Sequence, residues 1–248
     1  MSEMSTISND KRLSAVVFDF DGTLVDSFNL MFSIYINELT KRIPTISIEE
    51  IMSISQSLLD EETKEGMKNP KKLVLKIFYK TSRNLGLSRS TSANITLRTA
   101  YNIQKRYTEI EVFPDAEELL KILNESGVPT ILITLSSKKK VIEILQKNDL
   151  EKYFQIIIDK NDLKNFEKAK GIEESLIALG IDKEEMDNVI ALGDLPSDIE
   201  DGRMAGVKTG AVLTGPVEAS KLVKANPDYI FTDLNDVLTI FKRDFNTS

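Results

Sequence analysis

The sequence predicts an α/β protein in three layers, a mostly parallel sheet covered by helices on both faces, interrupted early by an inserted all-helical module. Three observations carry this expectation. Residues 13–20 (LSAVVFDF) are rich in valine and phenylalanine and run into Asp-Gly, the pattern of a buried strand entering a turn. Residues 26–110 show apolar positions at helical spacing and no convincing strand. From Val112 onward, short apolar runs alternate with helical patterns to the end of the chain, and strands alternating with helices favour a parallel sheet buried on both sides.

In chain order, the first dozen residues (MSEMSTISNDKR) are polar and read as a frayed, disordered tail rather than a leader peptide. The strand at 13–20 follows. In the helical module, Leu30, Ile34, Ile36 and Leu39 form one stripe and Leu73, Leu75, Ile77 and Phe78 another, with breaks at Pro44 and over 66–70. Helices are then expected at 116–126, 139–148, 172–179 and 198–205, and strands at 130–134, 155–158, 189–192, 208–213 and 229–231. The segments 13–25 and 111–248 would form the α/β core around the module at 26–110.

Composition narrows the chemistry. The 248 residues carry 32 basic and 39 acidic side chains, a formal charge of −7, so the mean field repels a nucleic-acid backbone. Absence of cysteine removes disulfides, thiolate nucleophiles and zinc-thiolate sites, and absence of histidine removes the commonest general base. Acid–base work then rests on carboxylates, lysine or tyrosine. No stretch approaches the roughly 20 apolar residues that span a bilayer, and the expectation is a cytoplasmic protein without nucleic-acid or membrane partners.

Ligands of such sheets bind beyond the carboxyl ends of the strands, where three polar clusters fall: 19–23, 134–137 and 193–198. Asp19 and Asp21 are two apart at the end of an extended segment, so both can face one site. Asp194 and Asp198 follow in the spacing G-D-x-x-x-D. Taken singly, the first pair also reads as a capped turn and the second as a turn and helix N-cap.

At this point the chain resembles the haloacid dehalogenase superfamily, in its phosphoglycolate phosphatase-like branch with a helical cap. DFDGTLVDS looks like the first motif, VFPDAEELLKILNESGVP like the return from cap to core, and ALGDLPSDIEDGRMAG like the fourth motif. The resemblance implies a Rossmann-like core and a phosphatase that forms an aspartyl phosphate. Asp19 would be the nucleophile, already ionised at neutral pH. Asp21 would protonate the leaving oxygen and then deprotonate water. Thr134 occupies the place of a serine or threonine that bonds a phosphoryl oxygen. Leu135, following it, offers no side-chain donor; Ser136 and Ser137 stand where helix caps stand. Asp19, Asp21, Asp194 and Asp198 would supply oxygen ligands for Mg²⁺. A lysine should hold Asp19 and the phosphoryl group together; Lys168 sits nearest the expected place, with Lys170 the competitor.

Asp21 argues against the dehalogenase branch, whose leaving halide needs no proton. The cap lysines, Lys64, Lys68, Lys71 and Lys72 among them, form no motif that singles one out. A cap at 26–110 implies a small phosphorylated metabolite as substrate, admitted and enclosed by cap movement, and residues 51–58 (IMSISQSL) lack the glycine-containing specificity loop of relatives. A phosphoglucomutase-like phosphotransferase using the same aspartates is the alternative, and a non-catalytic binding protein on the same fold the second.

Overall fold

The computed structural model describes residues 13–62, 70–163 and 167–244. The tail at 1–12 and most of the break at 66–70 lie outside them, as do Lys64 and Lys68. Two compact units result: Asp26–Glu111, and the remainder of the chain on either side of it.

The larger unit contains a six-stranded sheet in which β1 (Ala15–Phe18), β2 (Thr130–Ile133), β3 (Phe154–Ile158), β4 (Val189–Gly193), β5 (Lys208–Val212) and β6 (Tyr229–Phe231) are ordered β3-β2-β1-β4-β5-β6. Every neighbouring pair is parallel. β1 lies in the middle because its residues are apolar at every position, as a strand covered on both faces requires. Ala15 and Val17 join Ile131, Ile133, Val189 and Ala191 in a cluster that takes in Ala169, Ile172 and Leu176 of α7 (Lys168–Ala178). The alternate set, Val16, Phe18, Leu132, Ile190 and Leu192, is buried just as completely. Those residues face the other side of the sheet, which is therefore covered too. The remaining helices of this unit are α5 (Ala116–Glu125), α6 (Lys138–Lys147), α8 (Pro196–Met204), α9 (Ala219–Lys224) and α10 (Leu234–Asp244).

The predicted strands recur within a residue or two, except that β1 is shorter at both ends. Helix α7 begins four residues before the expected 172. Gly171 lies inside the helix, where a Cβ would come within 2.7 Å of Leu163 Cδ2. The glycine lets the helix approach the residues beyond β3 closely. Helices α9 and α10 were not anticipated.

The smaller unit is all-helical: α1 (Ser27–Thr40), α2 (Ile48–Glu62), α3 (Pro70–Asn84) and α4 (Arg89–Arg106). Its core is Phe32, Tyr35, Leu39, Ile51, Phe78 and Ile95, with Tyr35 and Phe78 stacked at 4.3 Å between ring centroids. The Tyr35 hydroxyl donates to Phe78 O at 3.0 Å, and burial pushes it up to about 12. Asp26 caps α1 by accepting the Asn29 N–H at 3.0 Å, and Pro44 falls between α1 and α2 as expected.

Candidate active site

The strand order reverses at β1, where the chain builds outward through β2 and β3 and then returns to place β4 on its other side. A crevice beyond the carboxyl ends of β1 and β4 follows from that connectivity. Asp19 leaves β1 and Asp194 leaves β4. The Asp19 N–H continues the ladder, donating to Leu192 O at 2.9 Å. Phe20, between the two aspartates in sequence, is fully buried.

Lys168 ties the site together. Its Nζ donates to Asp19 Oδ1 at 2.8 Å and to Asp198 Oδ1 at 2.7 Å, and all three side chains are at least nine-tenths buried. The competitor Lys170 points elsewhere, paired with Glu167 at 2.9 Å on an exposed surface. Two residues apart on a helix, the lysines cannot share a face; once α7 begins at Lys168, only one of them can meet Asp19.

Asp198 is held by two hydrogen bonds. One oxygen accepts from Lys168 and the other from the Leu195 N–H, at 3.0 Å. The second bond stabilises the first turn of α8, which opens with Pro196 at its N-terminus.

One carboxylate oxygen from each of Asp19, Asp194 and Asp198 lies within 4.8 Å of the others. Three buried acids face a single lysine, so the donor set carries excess negative charge and only oxygen ligands, which fits a hard divalent cation such as Mg²⁺. The Asp21 carboxylate is not a member of this group. It accepts a hydrogen bond from Ser136 Oγ.

Burial pushes Asp19 up to about 7, with Asp198 and Asp21 adding to the rise and Lys168 opposing it. Burial, then Asp198 and Asp19, hold Asp194 well above the carboxylate range. Burial alone would pull Lys168 down, but Asp19 and Asp198 outweigh it and hold the ammonium charged.

Two glycines make room for Asp194. A Cβ on Gly22, whose φ is +85°, would stand 2.3 Å from Asp194 Oδ2, and one on Gly215 would stand 2.0 Å from the same atom. Thr214 Oγ1 donates to Gly22 O at 2.6 Å and draws the two turns together. Thr23 Oγ1 donates to Asp194 Oδ1 at 3.4 Å.

Thr134 is buried at the end of β2, with its N–H donated to Ile158 O at 3.0 Å and its Oγ1 accepting the Ser136 N–H at 3.0 Å. Leu135 packs against the apolar cluster between the sheet and α7, so its lack of a donor reflects a packing role. Ser137 makes no side-chain cap at α6. Asp159 does so from β3, accepting the Lys138 N–H at 2.8 Å. Burial opposes its ionisation, but this bond and those from Asn161 outweigh it and lower Asp159 below the ordinary carboxylate value.

Gly215, Thr214 and Asp159 were all missed. Each follows a strand, and the carboxyl-end rule that found the other clusters applies to them equally. Asp201 was missed as well. It accepts the Ala169 N–H at 3.3 Å in the first turn of α7, and burial pushes it up to about 6.

These features accord with the comparisons. Residues 16–212 match the family model for haloacid dehalogenase-like hydrolases. The pyrophosphatase PpaX of Bacillus pumilus is 26% identical, covering 95% of this chain and all of its own. A predicted phosphoglycolate phosphatase from Haemophilus somnus superposes with a TM-score of 0.68 at 18% identity, covering 93% of this chain and 99% of its own. A haloacid dehalogenase-like family hydrolase from Streptococcus pneumoniae superposes at 0.63 and 22%, covering 92% and 98%. With four-fifths of its length inside the family model and the expected acidic residues gathered beyond β1 and β4, the chain belongs to the haloacid dehalogenase-like hydrolase family.

Proposed function

We propose that the protein is a Mg²⁺-dependent phosphohydrolase that transfers the phosphoryl group of a small phosphorylated substrate to Asp19 and then to water. The observation that supports this reading best is Lys168 lodged between Asp19 and Asp198 inside a buried three-carboxylate group. Asp19, Asp194 and Asp198 would hold Mg²⁺, which when bound offsets their charge and that of the phosphoryl group.

An oxygen of Asp19 bonds to phosphorus while the bond to the leaving oxygen breaks, and Asp21 protonates that oxygen. Water then adds to phosphorus and gives its proton to Asp21, and the bond to Asp19 breaks. Lys168 keeps Asp19 aligned for attack. Thr134, at the end of β2, is assigned to a phosphoryl oxygen. The helical unit is assigned the role of a substrate-selecting cap.

The test is phosphate release from pyrophosphate, phosphoglycolate, sugar phosphates and aryl phosphates, with and without Mg²⁺, by wild type and Asp19→Asn. Pyrophosphate belongs in the panel because the relatives matched along nearly the whole chain carry the name pyrophosphatase. Mg²⁺-dependent release abolished by Asp19→Asn is the expected result. Release that survives the substitution would remove Asp19 as nucleophile, and phosphoryl transfer to added sugar phosphate in preference to water would favour a phosphotransferase.

A further inference from the structure

We propose that Ser136 is a positioning residue for Asp21, holding its carboxyl group in the orientation that proton transfer requires. The inference rests on the acid–base role assigned to Asp21 above. Ser136 lies fully buried in the loop between β2 and α6. Its Oγ donates to Asp21 Oδ2 across 115 residues of sequence, and its own N–H is anchored on Thr134 Oγ1.

The N-cap position of α6 is Ser137, so Ser136 stands one residue before the cap, and its partners are set by the loop rather than by the helix. Here Asp159 takes the Lys138 N–H and is itself locked by the Asn161 N–H at 2.9 Å and Asn161 Nδ2 at 3.0 Å. Thr134 N–H on Ile158 O ties the same loop to β3. The bonds to Thr134 and Asp159 hold this loop at two strand ends and so fix where the Ser136 hydroxyl meets the Asp21 carboxylate.

The consequence is chemical. As Asp21 gives its proton to the leaving oxygen it becomes an anion, and a hydroxyl already aimed at Oδ2 stabilises that charge without reorganisation. Loss of the hydroxyl therefore costs most where the leaving oxygen most needs a proton. Ester substrates with poor leaving groups should feel it, and those with good ones should not.

The experiment compares kcat/KM on an alkyl phosphate, glycerol 1-phosphate, with that on p-nitrophenyl phosphate, for wild type, Ser136→Ala, Ser136→Cys, Ser136→Thr and Asp21→Asn. Ser136→Ala is expected to lose about tenfold on the alkyl ester and less than about twofold on the aryl ester. Ser136→Thr, which keeps the hydroxyl, should restore the alkyl rate. Ser136→Cys fills the same space with a weak donor and should show the alanine pattern, which separates the missing hydrogen bond from a packing defect. Equal losses on the two esters, or none, would overturn the role of Ser136 while leaving that of Asp21 intact, provided Asp21→Asn discriminates between the esters. If Asp21→Asn does not discriminate between the esters, the acid–base reading falls and this inference with it.

Discussion

Replacing Asp19 by Asn should stabilise the protein, and increasingly so as pH rises. Asp19 is buried and pushed from 3.8 up to about 7 by that burial and by its acidic neighbours, net of the attraction of Lys168. Between those values the folded protein binds a proton that the unfolded chain has released, so the contribution of this carboxyl to stability falls as pH rises through 3.8 and levels off above 7. At about 1.4 kcal/mol per pKa unit, the full interval amounts to about 4 kcal/mol, of which about 2–3 kcal/mol accrues between pH 5 and pH 8. Asparagine occupies nearly the same volume and does not titrate. The stability of Asp19→Asn relative to wild type should therefore grow by that amount, several degrees in midpoint for a chain of this size. Thermal or urea unfolding in the presence of a chelator at pH 5, 6, 7 and 8 reads it directly. An offset that stays flat, or reverses, would show that folded Asp19 is ionised already at pH 5. Addition of Mg²⁺ at pH 8 should raise the wild-type midpoint more than that of Asp19→Asn, because the cation offsets the charge that burial disfavours.

Other substitutions probe the remaining contacts. Lys168→Ala leaves Asp19 and Asp198 buried without their cation and should cost about 3 kcal/mol or more at pH 8, together with turnover; Lys170→Ala should change neither urea midpoint nor rate. Gly215→Ala puts a Cβ into the space of the Asp194 carboxylate, so Mg²⁺ should lose most of its stabilising effect while far-ultraviolet circular dichroism stays unchanged. Asp159→Ala removes the cap of α6 and should cost about 1–2 kcal/mol in urea unfolding, with faster amide exchange at the start of that helix.

The sheet, the helical insertion and the carboxyl-end placement of the aspartates are legible in the sequence, because period and burial are properties of neighbouring residues. A run such as AVVF, entering Asp-Gly, has the pattern of a strand covered on both faces, and Asp19 and Asp21, two apart at its end, can face one site. What the sequence left open were relations between residues far apart in the chain. Whether Lys168 or Lys170 meets Asp19 depends on where α7 begins, and Gly171, a helix breaker by propensity, sits inside that helix, where Leu163 allows no Cβ. That the first-turn N–H of α6 meets Asp159 from the next strand, and that Ser136 meets Asp21, are likewise pairings between distant residues. Local pattern determines which segments become strands and helices, whereas only the packed sheet decides which strand ends adjoin, and so which of several equivalent polar groups has a partner within hydrogen-bonding distance.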